Sequence, residues 1–364
     1  MHVENICKQL ILHHDCRIDL FVRALTTEEW IIKDKNELLW DWKLHIIRCW
    51  RPKPFFNTFE RLFSLFSMLF AFLKYNKKEK YTLIHAHTYL PLLVGKVGAM
   101  ITKIPLLVTV HGSQIMDMRK KNLAYYVQKV LLTKIKYGLE ICVWKNFLDY
   151  PNVNTVVNIG NWVNIDDFGW EHHKHHDHIK KLLFVGRLEW AKWVDVMIDA
   201  MDYIINTIGI KDMLLDVVGY WYDEKKYKDQ VLDKKLDAYI LFDGKKVWKE
   251  VIEYYQHADL MIVPSRAEWF GIIILEAMAS WIPVIATKSG GPEDIIQDWV
   301  NWYLVEKDNP MDLANKMLEF VEGKIGNIQG IINNGYETIQ ERYTWEIIGK
   351  QIYHQYISLV SKKK

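Results

Sequence analysis

Short apolar runs and longer stretches with helical apolar spacing take turns along most of this chain. That alternation predicts α/β layers with mainly parallel strands. Val3 to His13 carries the spacing of an amphipathic helix, and Arg17 to Leu25 (RIDLFVRAL) reads as a strand. Tyr81 to Ala86 (YTLIHA) and Pro105 to Val110 (PLLVTV) are short β-rich runs separated by a helical stretch, Leu90 to Thr102. Together they predict a βαβ unit. A second series begins near Lys180. It has strands at Lys181 to Val185, Met213 to Gly219, Tyr239 to Asp243, Leu260 to Pro264 and Pro283 to Thr287. Helices are expected at Val194 to Thr207, across Glu276 to Ser280, and from Trp345 to Val360 ahead of the tail Lys362 to Lys364.

Between the two series, residues Asn158 to His178 are rich in Asn, Gly, Asp and His and read as an interdomain linker. The linker holds HHKHHDH, His172 to His178. Such a tract can bind metal, but without partner ligands nearby it reads as a solvated loop. Leu62 to Leu73 (LFSLFSMLFAFL) is apolar on nearly every face, follows Phe55, Phe56 and Phe59, and precedes the basic run Lys77 to Lys80. Two readings stay open for it: a helix buried against a sheet, or an interfacial helix resting on an anionic membrane.

The length of 364 residues suits two domains, each able to bury a core. Half of the residues are hydrophobic and 25% are charged, an ordinary soluble balance. A net charge of +2 gives no reason to expect nucleic acid as a partner. Cys7, Cys16, Cys49 and Cys142 are far apart and lack CxxC spacing, which argues against a disulfide framework or a structural zinc site. The opening MHVENICKQL carries charged and amide groups where a signal peptide needs an apolar run, so a cytoplasmic location is expected.

The sharpest chemical signal is PSRAEWFGIIILEAMAS, Pro264 to Ser280. A strand end, a polar loop with Phe270-Gly271 and a helix start make an anion site, because bare backbone N–H groups and the positive helix end converge there. Open α/β sheets bind ligands at this end of their strands. Glu268 precedes the turn and Glu276 lies on the helix. Carboxylates accept sugar hydroxyls well, so Glu276 suits a ribose and Glu268 a transferred sugar. A lone pair of acids at this spacing equally describes an exposed loop acid and a helix-surface acid. The stretch KLLFVGRLEWAK adds a glycine turn at Gly186, then Arg187 and Lys192. Two cations opposite a helix N-terminus would neutralise a departing diphosphate. In the first half, Thr109 to Ser113 (TVHGS) puts His111 at a strand end, as a crevice residue or a structural one.

These residues carry a family resemblance. The stretches FVGRLEWAKWVD, LDVVGYWYDEKKYKD, ILFDGKK, ADLMIVPSRAEWFGIIILEAMASWIPVIATKSGGPEDII and VNWYLVEKDNP resemble glycosyltransferase family 4, as HAHTYLP and VTVHGS do more weakly. The resemblance covers most of residues 80 to 345. It implies the α/β GT-B fold, two Rossmann-like domains facing a cleft. The acceptor side would span residues 1 to 165 and the donor side 166 to 340, with 341 to 364 a helix crossing back. It implies a retaining, metal-independent enzyme with no cofactor beyond its nucleotide-diphosphate sugar. By resemblance Gly186, Arg187 and Lys192 face the diphosphate, and Glu276 binds the ribose. Glu268 would bind the sugar, and Phe270, Gly271, Ile272 and Ile273 form the amide-bearing turn. Phe242 to Gly244 would border the base, with His111 beside the reacting sugar.

The chain departs from the family pattern in two ways. Trp stands at seven places where the pattern asks for Gly: Trp162, Trp193, Trp221, Trp269, Trp281, Trp299 and Trp302. Trp is the worst substitute where a glycine permits positive φ or close approach. One explanation covers all seven: a UGA codon that encodes Gly in the source organism has been read as Trp. Trp345 matches a position where the family often has Trp. Secondly, family members open with a strand and a glycine-rich loop before the helix resembling VENICKQL, whereas Met1-His2 directly precedes it here. The expectation is a start that omits about 15 to 20 residues, including a central strand of the N-terminal sheet.

The expected function is sugar transfer to a glycan or lipid-linked acceptor in surface polysaccharide or glycoconjugate synthesis, with peripheral membrane contact. The alternatives are a catalytically inactive nucleotide-sugar binding protein and a GT-B-type nucleotide-sugar epimerase.

Overall fold

The computed structural model describes residues 2–23, 33–39, 44–49, 57–111, 123–168 and 179–362. The His172 to His178 tract, Phe55, Phe56, Gly112 and the last two lysines lie outside the described residues, as do the final positions of the expected strand at Arg17 to Leu25. The chain divides into two compact units. One comprises Met1–Gly160 with Trp345–Lys364, the other Asn161–Thr344.

The first unit begins with α1 (His2–His14), β1 (Ile18–Arg23), β2 (Lys33–Leu39), β3 (Leu44–Cys49) and α2 (Asn57–Glu79). It continues through β4 (Ile84–His87), α3 (Tyr89–Thr102), β5 (Leu106–Val110), α4 (Leu123–Thr133), β6 (Leu139–Cys142) and β7 (Thr155–Asn158). Its strands form two sheets. One has the order β1-β3-β2, and the other runs β4-β5-β6-β7 in parallel. β3 is parallel to β1 and antiparallel to β2. Every residue of β5 is buried, which explains its unbroken apolar run: a parallel strand is covered on both faces. β1 and β4 are each an edge strand of their own sheet, and the Tyr81 hydroxyl donates across to Asp19.

α2 answers the question its sequence leaves open with a divided helix. Ser64, Ala71 and Phe72 face inward, with Ala71 packing against Ile47 and Cys49. Phe63, Phe66 and Phe70 lie on the exposed side. One face of the helix is thus buried against the sheet of β1 and β3, and the other is left at the surface.

The second unit holds β8 (Lys180–Val185), α5 (Val194–Asp202), β9 (Met213–Val218), α6 (Glu224–Asp233), β10 (Ile240–Gly244) and α7 (Trp248–His257). Then come β11 (Leu260–Val263), α8 (Ile272–Ala279), β12 (Val284–Thr287), α9 (Pro292–Ile295), β13 (Tyr303–Val305), α10 (Pro310–Val321) and α11 (Ile328–Arg342). The last helix, α12 (Trp345–Ser361), belongs to the first unit and packs on α1, with Tyr353 stacked on His14. The six strands of the second unit are all parallel, in the order β10-β9-β8-β11-β12-β13. The chain winds outward from β8 in one direction, then returns to β11 and winds outward in the other. The reversal between β8 and β11 is a topological switch point, where a crevice opens at the carboxyl edge. Part of the expected linker is packed: Ile159, Trp162, Val163 and Phe168 are buried.

Three of the seven tryptophans at expected glycine positions adopt left-handed backbone: Trp193 at φ +50°, Trp281 at +60° and Trp299 at +65°. That region brings Cβ against the following carbonyl and costs about 1–2 kcal/mol for an L-residue. Trp302 is fully buried with no hydrogen-bond partner for its Nε1. An orphaned indole N–H in a core is unfavourable in itself.

Candidate functional site

Gly186 and Arg187 follow β8 directly, and the loop Pro264–Gly271 follows β11. They flank the switch point from its two sides. The crossing is tight: a Cβ on Gly219, just past β9, would fall 1.8 Å from the Gly186 carbonyl oxygen. Only a glycine allows the β8 and β9 ends to approach this closely.

The loop after β11 is held by backbone bonds to its neighbours. Glu268 N–H donates to the Ser289 carbonyl at 3.2 Å, and Gly291 N–H to the Glu268 carbonyl at 2.7 Å. Arg266 N–H donates to Ala191 O at 2.8 Å, tying this loop to the segment after β8. The Arg266 guanidinium lies over the rings of Trp190 and Trp193, at 4.3 and 4.6 Å from their centroids. That tie brings two expected site residues together. Lys192 Nζ donates to Glu268 Oε2 in a close ion pair, both side chains being only 15% and 12% exposed. Ser265 Oγ donates to the same carboxylate oxygen at 3.3 Å.

Gly271 caps α8 with φ +87°, beside the Glu268 side chain. Ile272 and Ile273 open α8, and their own N–H groups precede its first bond, which runs from Ile274 N–H to Gly271 O at 2.8 Å. Lys192, Glu268 and this helix start therefore share one corner of the sheet's carboxyl edge. Phe270 is buried edge-to-face against Tyr343 and fixes the turn from below.

Glu276 is not a helix-surface acid. It is buried within α8, where Oε2 accepts a hydrogen bond of 2.8 Å from the Tyr255 hydroxyl of α7. Burial pushes its carboxyl up to about 7, against the opposing pull of the tyrosine bond. An acid held this way is a buried acceptor sited for hydroxyl donors.

Arg187 stays 58% exposed and pairs with Glu189 at 2.8 Å, over the Trp221 ring. It shares the carboxyl edge with Lys192, but its ion pair is with Glu189 and not with Glu268. Phe242 and Gly244 close β10 two strands away, where the ladder shifts register and Gly244 takes φ +70°. Gly244 O accepts from Gly219 N–H at 2.9 Å.

His111 stands in the first unit, just past β5. Its Nε2 lies 2.9 Å from His87 Nδ1, with the two rings nearly coplanar. Behind them His85 lies tilted against His87, ring centroids 4.3 Å apart, its nitrogens 2.7 Å from Thr109 Oγ1 and from the Tyr356 hydroxyl of α12. Burial, with His111 nearby, brings His85 down to about 3 and keeps it neutral. His87 is a residue that sequence reasoning missed. Its signal was the alternation in HAH, which puts His85 and His87 on one face of β4. Tyr255 was missed as well, because its partner Glu276 lies on a different helix. Among the described residues, no group of three or more His, Cys, Asp or Glu is placed to hold a metal ion.

Residues 170–338 match the family described as glycosyl transferases group 1, and residues 1–139 match glycosyltransferase family 4. An uncharacterized glycosyltransferase of Methanocaldococcus jannaschii is 31% identical over 284 residues, covering 74% of this chain and 73% of its own. The UDP-Gal:alpha-D-GlcNAc-diphosphoundecaprenol alpha-1,3-galactosyltransferase of Escherichia coli is 25% identical over 308 residues, 77% of this chain and 76% of its own. Among solved structures, sucrose-phosphate synthase from Thermosynechococcus elongatus superposes with a TM-score of 0.78 at 20% identity, over 99% of this chain and 93% of that one. At that identity the likeness speaks for the fold alone. Sequence match, parallel sheets and fold likeness agree, and the chain belongs to glycosyltransferase family 4, as a glycosyltransferase of the GT-B fold.

Proposed function

We propose that this glycosyltransferase is a retaining, metal-independent enzyme that moves a sugar from a nucleotide-diphosphate donor to a glycan or lipid-linked acceptor, at the cytoplasmic face of a membrane. One observation carries the reading: the Lys192–Glu268 ion pair sits beside the Gly271-capped start of α8 at the sheet's switch point. That corner offers a cation and bare amides to a leaving diphosphate, with a carboxylate next to them for the sugar hydroxyls. Arg187 supplies a second cation from the end of β8 once the diphosphate competes with Glu189. Glu276 takes the ribose hydroxyls, and the family resemblance assigns His111 to the reacting sugar. Fixed cations and a helix start supply the leaving-group charge that other transferases draw from a metal ion. The Escherichia coli relative, by its name a UDP-Gal transferase acting on a diphosphoundecaprenol-linked sugar, supports a UDP donor and a lipid-linked acceptor.

The test incubates the full chain with UDP- and GDP-sugars, with and without a polyprenyl-diphosphate-linked sugar, in EDTA. The expected product keeps the donor's anomeric configuration by NMR, and Arg187→Ala slows turnover by roughly 10²-fold. Inversion, or activity abolished by EDTA, overturns the corresponding part of the reading. Donor binding without turnover would identify an inactive binding protein. A new nucleotide sugar formed from donor alone would identify an epimerase.

A further inference from the structure

α2, α3 and α4 lie side by side on one layer of the first unit, α3 packing on both of its neighbours. Each shows large apolar side chains to solvent. On α2, Phe63, Phe66 and Phe70 recur at i, i+3 and i+7, one stripe, with Phe66 69% and Phe70 66% exposed. On α3 the exposed residues are Val97, Met100 and Ile101, Met100 being 67% exposed. On α4 they are Tyr126, Val127 and Val130. Scattered exposed apolar residues are ordinary, whereas such a set on each of three adjacent helices is not.

Among the described residues, lysines gather at one end of these helices. The α2 stripe continues through Lys74 and Lys77, both exposed, and the exposed Lys78 and Lys80 close the helix. Lys103 ends α3, and Lys134 and Lys136 follow α4. α3 and α4 contain no Asp or Glu. Glu79 of α2 is drawn inward, with pairing to Arg17 and Lys78. Crossovers between parallel strands bring the ends of α3 and α4 to one edge of the layer, so the lysines form a row beside the apolar stripes. A cavity of about 320 Å³ lined by Lys96, Met100, Lys103 and Leu359 opens along that row. The whole chain carries a net charge of only +2, so this concentration is local.

We propose that the face formed by α2, α3 and α4 docks on an anionic lipid bilayer, with the aromatic and aliphatic stripes entering the interfacial layer and the lysine row meeting the headgroups. Apolar residues grouped beside a cationic row, with no acid on α3 or α4, match an interface of apolar chains beneath negative headgroups. A protein partner would need acids to meet the lysines and apolar groups beside them. A second copy of this face would oppose lysine to lysine. Among the described residues no helix is long and apolar enough to cross a membrane, so attachment through this face would be peripheral. The inference gives the proposed membrane-side function its surface, and its test reads lipid binding without any transfer step.

Full-length protein is sedimented with vesicles of phosphatidylcholine alone or mixed with phosphatidylglycerol. Binding is expected to the mixed vesicles and to weaken with salt. The double change Phe66→Ser with Phe70→Ser, and separately Lys77→Glu with Lys103→Glu, are each expected to weaken it about tenfold or more. All four positions are at the surface, and unchanged circular dichroism verifies folding. Equal binding to neutral vesicles, no loss in either variant, or no vesicle binding with a dimer by light scattering that the phenylalanine changes dissolve would overturn the proposal. A failed transfer assay leaves this result readable, and failed sedimentation leaves the donor site to be judged on transfer alone.

Discussion

The Tyr255 hydroxyl donates to Glu276 Oε2 at 2.8 Å, joining α7 to α8 through a buried carboxyl on the helix whose first turn faces the switch point. Burial lifts Glu276 from an ordinary value of 4.5 to about 7. The folded protein then holds a proton that the unfolded chain releases between those values. Stability falls as pH rises through that window, by about 3 kcal/mol for this group. Glu140 is raised to about 7 for the same reason and adds to the slope. Urea unfolding of the ligand-free protein at pH 5 and pH 8 measures it. Glu276→Gln is expected to make the fall smaller by about 2 to 3 kcal/mol, leaving the Glu140 part and the opposing part of His85, whose lowered value makes stability rise with pH up to about 6.5. An unaltered slope in that variant would show that Glu276 does not titrate as described.

The Lys192–Glu268 pair predicts a stability cycle as well as a loss of activity. Lys192→Met strands a carboxylate that is 12% exposed, at a cost on the order of 2 kcal/mol. Combining it with Glu268→Gln removes the stranded charge and is expected to recover more than half of that loss in urea unfolding, while transfer stays abolished. Additive destabilisation in the double variant would mean that the two side chains are not coupled.

The left-handed tryptophans give a test with an internal control. Replacing Trp by Gly alone confounds lost ring contacts with relieved strain, since Trp281 stacks on Tyr336 and Trp299 lies under Lys316. Comparing Gly with Ala at one position isolates the backbone. At Trp281 and Trp299, Gly is expected to be more stable than Ala by about 1 kcal/mol, the reverse of the usual order. At Trp221, whose φ is not positive, Ala is expected to equal or exceed Gly. The same order at all three sites would remove the backbone argument for glycine. Mass spectrometry of native-host peptides spanning 281 and 299 is expected to show glycine, and intact tryptophan there would end the codon explanation.

What the sequence revealed follows from how far each interaction reaches along the chain. The β5 and β11 runs were legible because a strand covered on both faces is apolar throughout. The Gly271 turn was legible because strand, loop and helix start are consecutive. The Lys192–Glu268 contact spans three crossovers, so the residues were named singly but not joined. Glu276 looked like a surface acid because nothing nearby in sequence shows that Tyr255 covers it. The phenylalanines of α2 were ambiguous for a related reason. An apolar stretch does not say which of its faces meets the core, and only the packing of Ala71 and Phe72 inward left Phe66 and Phe70 outside.

His87 touches His111 through a bond that needs one N–H and one lone pair. With His111 Nε2 engaged, its tautomer and ring angle are set by His87, and His85 fixes His87 in turn from the bonds to Thr109 and Tyr356. If His111 borders the reacting sugar, His87 is a positioning residue. His87→Ala is then expected to lower kcat about fivefold to tenfold, the worth of one neutral hydrogen bond, while KM for the donor stays unchanged. His87→Asn, whose amide sits near the place of Nδ1, is expected to restore most of the rate. A purely packing role would not distinguish Asn from Ala in kcat and would show instead as a common drop in stability. Loss of activity in His111→Ala with none in His87→Ala would retain His111 at the reacting sugar and reject His87 as its positioner.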